Sequence, residues 1–107
     1  MVEFAAAVSR MLRSLPYSPA TKNFRNQLTR SASSIGANFA ESNAAESRND
    51  FIHKLSIALK EAEETRFWIQ CIEAEFPDHE NISNLFSESC EFIKILQSCV
   101  SKAKRNQ

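Results

Sequence analysis

The sequence predicts an all-α fold, in which four antiparallel helices form an up-down-up-down bundle. The 107 residues include a single glycine, which is too few for the turns of an all-β protein, since many of those turns need positive φ angles. The hydrophobic fraction is 43% and includes eight phenylalanines, which favours a packed core over disorder. Apolar residues also recur at three- and four-residue steps in four stretches, and short breaks between them would make consecutive helices antiparallel neighbours.

The first helix is predicted from an apolar repeat made of Phe4, Val8, Met11 or Leu12, and Leu15. It ends before Pro16, because two prolines within four residues cannot continue a helix. This helix is about half as long as the two that follow it. We therefore expect part of their apolar surface to be left for another subunit or a ligand.

The second helix is expected to begin with Ser18 as N-cap and Pro19 at its first position, and to run to about Ala45. Its apolar stripe comprises Phe24, Leu28, Ala32, Ile35 and Phe39. Gly36 lies within this helix, where glycine costs roughly 1 kcal/mol relative to alanine. Its presence predicts a point of close packing.

The third helix follows Ser47, which together with Asp50 resembles a capping box, and it runs to about Glu75. Its heptad pattern comprises Phe51, Leu55, Ala58, Ala62, Thr65, Ile69 and Ile72. The fourth helix is predicted to begin near Glu80, after the break at Pro77. Its stripe comprises Ile82, Leu85, Ser89, Ile93, Leu96, Val100 and Ala103. We expect residues 1–107 to form a single domain.

The cysteine pattern and the lack of long apolar runs favour a cytoplasmic protein without membrane contacts. No apolar run approaches the roughly 18 residues of a membrane span, and the first residues make a poor signal peptide. The three cysteines are odd in number and form no C-x-x-C motif, which is typical of a reducing compartment. Neither His53 nor His79 lies at a recognised zinc-ligand spacing from them.

The sequence contains no convincing enzyme motif. A phosphate-binding loop cannot be written with one glycine. Di-iron bundles need two Glu-x-x-His motifs, and the only approximate match is Asp50-x-x-His53. Neither histidine accompanies a strained nucleophile turn. We therefore expect a protein that is not an enzyme and has no cofactor, no metal and no evident small-molecule substrate.

Two polar stripes lie beside the apolar ones, on the second and third helices. We interpret them as a seam between helices or subunits, with a ligand or catalytic site as the alternative. The residues of this predicted polar seam are Gln27, Arg30, Ser34, Asn38, Glu41, Glu61, Glu64 and Trp68.

The formal net charge of zero hides an uneven distribution. Residues 1–40 carry five basic residues and one acidic residue, whereas residues 41–107 carry eight basic and twelve acidic residues. The five early cations are Arg10, Arg13, Lys22, Arg25 and Arg30. If they cluster, they could hold an RNA backbone, or they could meet the acidic half of a second copy in a head-to-tail ring. The remaining interpretation is solvated faces with local pairing.

Two segments, SIGANFAES at residues 34–42 and DFIHKLSIALKEAEETRFWI at residues 50–69, resemble the 23S ribosomal-RNA intervening-sequence proteins. The resemblance extends over residues 27–72, and Phe39 stands where the family usually has Ile. It implies a left-handed up-and-down bundle and a homo-oligomer in the form of a five-fold ring with a central channel. No enzymatic reaction is attached to the family. A related branch binds RNA and protein as an accessory subunit of retroelement reverse transcriptases.

These observations lead to one functional hypothesis and one alternative. The hypothesis is a non-enzymatic, homo-oligomeric bundle, in the form of a pentameric ring, that acts as an assembly or interaction module. The alternative is an accessory protein that binds RNA, or a nucleic-acid-associated protein, through the basic face of its first two helices.

Overall fold

A computed structural model describes residues 1–106, and four α-helices account for most of that length. The helices are α1 (Val2–Arg13), α2 (Pro19–Asn43), α3 (Arg48–Glu75) and α4 (Ile82–Arg105). The described residues contain no β-strand, and the molecule measures 47 × 20 × 20 Å. The all-α class and the four helices predicted from the sequence are confirmed.

The ends of the helices show how the sequence sets their bounds. Ser18 caps α2: its Oγ accepts from the Thr21 N–H at 3.2 Å, and its own N–H donates to Thr21 Oγ1 at 2.7 Å. Ser47 caps α3 by accepting from the Asp50 N–H at 3.1 Å. Both caps were predicted.

The start of α4 differs from the prediction. This helix begins at Ile82, two residues later than the predicted start at Glu80. Residues 77–81 form turns in which the His79 N–H donates to the Phe76 carbonyl at 3.2 Å. Asn81, the N-cap, makes no side-chain capping bond. A turn that continues past Pro77 therefore delays the helix, which starts after Asn81 without a side-chain capping bond.

The helices form a four-membered ring in cross-section. α1 packs against α2 and α4, and α3 packs against the same two helices; within residues 1–106, no Cα atom of α1 lies within 8 Å of one in α3, and the same holds for α2 and α4. Aromatic rings join α1 to α4, where Phe4 and Phe92 lie edge to face with centroids 5.1 Å apart. The core lies along the axis of this ring.

The buried stripes largely follow the predicted ones. All seven stripe residues predicted on α4 are buried. On α3 the pattern from Leu55 to Ile72 is buried, but Ile52 is buried in the first turn and Phe51 is only half-buried. Phe51 packs against the core from this half-buried position, so the centre of the buried stripe moves to Ile52 in the first turn. An α-helix has 3.6 residues per turn, so a strict heptad stripe drifts around the helix axis. The step from Leu55 to the buried residue of the first turn is therefore three residues and not the expected four.

The short α1 leaves part of the bundle uncovered. At about 1.5 Å per residue, its 12 residues span roughly 18 Å, while the 28 residues of α3 span roughly 42 Å. Met1 lies beside Gly36, so the last turns of α2 extend beyond α1. A Cβ on Gly36 would lie 3.4 Å from the Met1 Cβ, which is ordinary contact. Packing within the chain therefore does not require a glycine there.

Candidate interaction surface

Arg30 forms the centre of an ion cluster between α2 and α3. Its Nη1 donates to Glu61 Oε2 at 3.0 Å, and its Nη2 donates to Glu64 Oε1. The same oxygen of Glu64 accepts from the indole N–H of Trp68 at 3.2 Å. The Arg30 side chain is 48% exposed, whereas that of Glu61 is 15% exposed. We call Arg30, Glu61, Glu64 and Trp68 the α2–α3 ion cluster.

The cluster holds Glu64 in its ionised form. The hydrogen bond from Arg30 lowers the pKa of Glu64 below its ordinary value of 4.5 and outweighs burial, which raises it. The bond from Trp68 adds a smaller lowering. The bond to Glu64 also raises the pKa of Arg30. A carboxylate with a depressed pKa is a poor general acid at neutral pH. The geometry therefore favours a binding or packing role for this cluster.

Aromatic side chains extend the ion cluster towards solvent. The Trp68 ring lies 6.3 Å from that of Phe24 and 5.0 Å from that of Phe67, measured between centroids. Phe67 is 54% exposed. Tryptophan and arginine are the side chains that most often dominate protein interfaces. This combination of residues gives the surface the composition of an interaction site.

Within residues 1–106, the other four residues of the predicted seam make no hydrogen bond or ion pair with the ion cluster. Asn38 donates to the Ser34 carbonyl at 2.9 Å, within α2 itself. Glu41 pairs with Lys54 at 3.0 Å, near the opposite end of α3. Gln27 is half-buried. The structure therefore brings together four of the eight predicted residues.

Two polar contacts across the seam involve residues outside the predicted set. Thr65 Oγ1 donates to Ser31 Oγ at 2.9 Å, and both side chains are fully buried. Ser31 lies between Gln27 and Ser34 on the polar stripe of α2. The sequence alone does not show that its hydroxyl is buried. The second contact is the ion pair between Glu41 and Lys54. The register that places Arg30 opposite Glu64 also places these two residues opposite each other.

The five early cations have different neighbours in the structure. Arg30 is held in the ion cluster. Arg10 lines a groove of about 700 Å³ between α1 and the start of α4, together with Asp78, Glu80 and Glu88. The other three are placed separately: Arg13 and Arg25 line a small cavity between α1 and α2, and Lys22 is exposed.

A serine–histidine contact lies at the edge of the 700 Å³ groove. Ser14 Oγ lies 2.7 Å from His79 Nε2, and His79 Nδ1 accepts from the Asn81 N–H at 3.3 Å. An acceptor at Nδ1 places the proton of the neutral ring on Nε2, which then donates to Ser14. A general base would need the opposite tautomer in order to take the serine proton. The contact therefore ties α1 to the α3–α4 loop and does not activate a nucleophile.

Residues 1–106 contain neither a candidate metal site nor a candidate membrane-spanning helix. No group of three or more histidine, cysteine, aspartate or glutamate side chains is placed to hold a metal ion. No helix in this part of the chain has both the length and the apolar character needed to cross a bilayer.

Comparisons with known proteins place the chain in a family. It is similar to a protein of unknown function from the S23 ribosomal protein family of Bacteroides thetaiotaomicron, known from a crystal structure. The two are 34% identical, with a TM-score of 0.79, and the match covers 92% of this chain and 93% of the other. No curated protein matches the sequence. The family model for the 23S rRNA-intervening sequence protein matches residues 1–98, and the chain therefore belongs to that family.

Proposed function

We propose that this protein is a non-enzymatic assembly or interaction module that works as a homo-oligomer, in the form of a closed ring of five copies. One observation carries the proposal: α1 is too short to cover α2. A groove of about 500 Å³ lies between the start of α1 and the second half of α2. It is lined by small and apolar residues, including Gly36, Ala37 and Ala40. Val2, at the edge of this groove, is 84% exposed. A second copy would bury this surface.

The polar seam supplies the second surface that a ring requires. Head-to-tail contacts join two different patches on each copy, and rings close when the rotation between copies allows it. The α2–α3 ion cluster, with the exposed ring of Phe67 beside it, suits such a patch. We assign the predicted seam residues to this interface, and the five-fold order rests on the family resemblance.

Light scattering on the intact chain tests the proposal. The wild-type protein should have the mass of a closed oligomer, and Asn38→Leu and Glu64→Ala should each reduce that mass. Glu63→Ala is the matched control, because Glu63 is exposed and makes no ion pair in the described chain. A wild-type monomer, or variants that assemble like the wild type, would contradict the proposal.

The geometry favours RNA binding less than assembly. RNA binding through the first two helices would require their five cations to act together. Arg30, however, is engaged by two carboxylates, and Arg10 lies among acidic residues. RNA binding by the first two helices stays a prediction.

We also propose the finer topology, an antiparallel up-down-up-down arrangement with a left-handed twist. Two contacts between α2 and α3 support the antiparallel orientation of that pair. Ser31 lies against Thr65, while Glu41 lies against Lys54, so positions that advance along α2 meet positions that recede along α3.

A further inference from the structure

A small cavity between α1 and α2 brings two arginine side chains together. Arg13 and Arg25 line this cavity of about 160 Å³, with Ser9, Leu12 and Thr29 completing it. None of the lining residues is acidic. We call this space the α1–α2 arginine cavity.

The positive charge of this cavity is not neutralised by the described part of the chain. The ion pairs within residues 1–106 use Arg30 and Lys54, so neither Arg13 nor Arg25 has a carboxylate oxygen within 4.0 Å. The cause lies in the sequence, because residues 4–40 contain five basic residues and no aspartate or glutamate. Two like charges lining one small space repel each other, and an anion between them would remove that repulsion.

Both guanidinium groups are held in place before any ligand arrives. Arg25 Nη2 donates to the Leu15 carbonyl at 2.7 Å, while its Nε is buried and has no hydrogen-bond partner. Arg13 Nη1 donates to Ser9 Oγ at 3.1 Å, which leaves the Ser9 hydroxyl hydrogen available to an anion. Donors that are already positioned lose less conformational entropy when they bind a ligand.

We propose that the α1–α2 arginine cavity binds a phosphate dianion, either free or as a terminal phosphomonoester. Two guanidinium groups and the hydroxyls of Ser9 and Thr29 offer more donors than the two oxygens of a carboxylate can accept, whereas a phosphate group has enough oxygens for all of them. Two positive charges match a dianion. The negative end of the α1 dipole lies nearby, but its partial charge of about 0.5 is small beside two full charges. This site is independent of the proposed assembly.

An NMR titration of the ¹⁵N-labelled full chain tests this site. Sodium phosphate is added at constant ionic strength, with chloride as the balancing anion, and phenyl phosphate serves as the phosphomonoester arm. We expect saturable shifts of the amide signals confined to residues 9–13 and 25–29. Arg13→Gln should weaken binding roughly tenfold or more, as expected for the loss of a charged hydrogen bond.

Two further variants separate binding from folding. Arg25→Gln should weaken binding to a similar extent, but it also removes the bond to Leu15, so Arg13→Gln is the decisive variant. Arg10→Gln is the matched control, because Arg10 lines the other groove of α1 and should leave the affinity unchanged.

Four outcomes would overturn the proposal: no saturable response to phosphate, an unchanged affinity in Arg13→Gln, an equal response to acetate, or an equal loss of affinity in Arg10→Gln. A short RNA without terminal phosphates provides the last arm. If that RNA binds and phosphate does not, the cavity recognises a phosphodiester backbone and the assignment to a dianion is wrong.

Discussion

Helix α2 carries two arginines, five residues apart, whose surroundings differ. At 100° per residue they lie about 140° apart around the helix axis, so they face different neighbours. Arg30 meets Glu61 and Glu64 of α3. Arg25 faces α1, where it finds a backbone carbonyl and a second arginine beside the cavity that it lines. An arginine is thus neutralised on the side of α2 that faces α3, and another is not neutralised on the side that faces α1.

The difference comes from the composition and length of the two neighbouring helices. α3 is slightly longer than α2 and supplies carboxylates along the seam, whereas the only acidic residue of α1 is Glu3, near its far end. The side of α2 that faces α3 is therefore closed by hydrogen bonds and ion pairs. The side that faces α1 keeps an apolar groove and unneutralised charge, which the chain itself leaves without partners.

The largest expected effect concerns the buried hydrogen bond on the α3 side. Ser31→Ala should lower the free energy of unfolding by about 1–3 kcal/mol, because the buried Thr65 hydroxyl loses its acceptor. In the double variant with Thr65→Val, the loss should be smaller than the sum of the single losses. Urea denaturation measures both. Ser33→Ala, at an exposed position, is the control, and strictly additive losses would show that the two hydroxyls are not coupled.

A smaller effect of opposite sign is expected on the α1 side. Gly36→Ala should raise the free energy of unfolding by about 0.5–1 kcal/mol, because alanine restricts the unfolded chain and the added Cβ meets Met1 at an ordinary contact distance. Thermal and urea unfolding at a fixed protein concentration measure the change. A loss of stability would mean that a closer neighbour occupies the space beside Gly36.

The smallest effect concerns the ion cluster. Arg30→Gln should cost about 0.2–1 kcal/mol at neutral pH, because Arg30 is half-exposed and such pairs are screened by solvent. The pKa of Glu64 is lower in the folded state than its ordinary value of 4.5, so the stabilisation is present above that value. It is lost as the pH falls through the depressed folded-state pKa.

Urea midpoints measured from pH 7 downwards should therefore begin to converge for the wild type and Arg30→Gln as the pH falls below about 4.5, and should coincide below the depressed folded-state pKa of Glu64. Arg66→Gln serves as the control, since Arg66 makes no ion pair in the described chain. A difference between wild type and variant that persists unchanged at acid pH would exclude Glu64 as its source.

The fold could be predicted from the sequence wherever a local rule decides it. The stripe of α4 needs only periodicity, and the start of α2 needs only Ser18 and Pro19. The sequence did not predict the details of burial and helix bounds that tertiary packing decides. The choice between Phe51 and Ile52 depends on how the first turn of α3 meets its neighbours. The start of α4 depends on a turn after Pro77, and the helix begins without a side-chain capping bond.

The candidate site was predictable in part, for a similar reason. Periodicity places Glu61, Glu64 and Trp68 on one face of α3, and the structure brings all three to Arg30 or its partners. Periodicity gives no rotation of α2 relative to α3, so it could not distinguish Arg30 from Arg25. The division of the early cations among four environments is a property of the packed bundle and cannot be read from the charge pattern alone.

The manner in which α1 is attached affects how the molecule opens. Near its C-terminal end, the Ser14–His79 contact and the bond from Arg25 to the Leu15 carbonyl hold the chain, while the Phe4–Phe92 contact holds the first turns. The α2–α3 and α3–α4 contacts do not involve α1. We therefore expect α1 to detach as a cooperative unit at a lower free energy than global unfolding, so that its amide hydrogens should exchange with solvent ahead of those in the centre of α3.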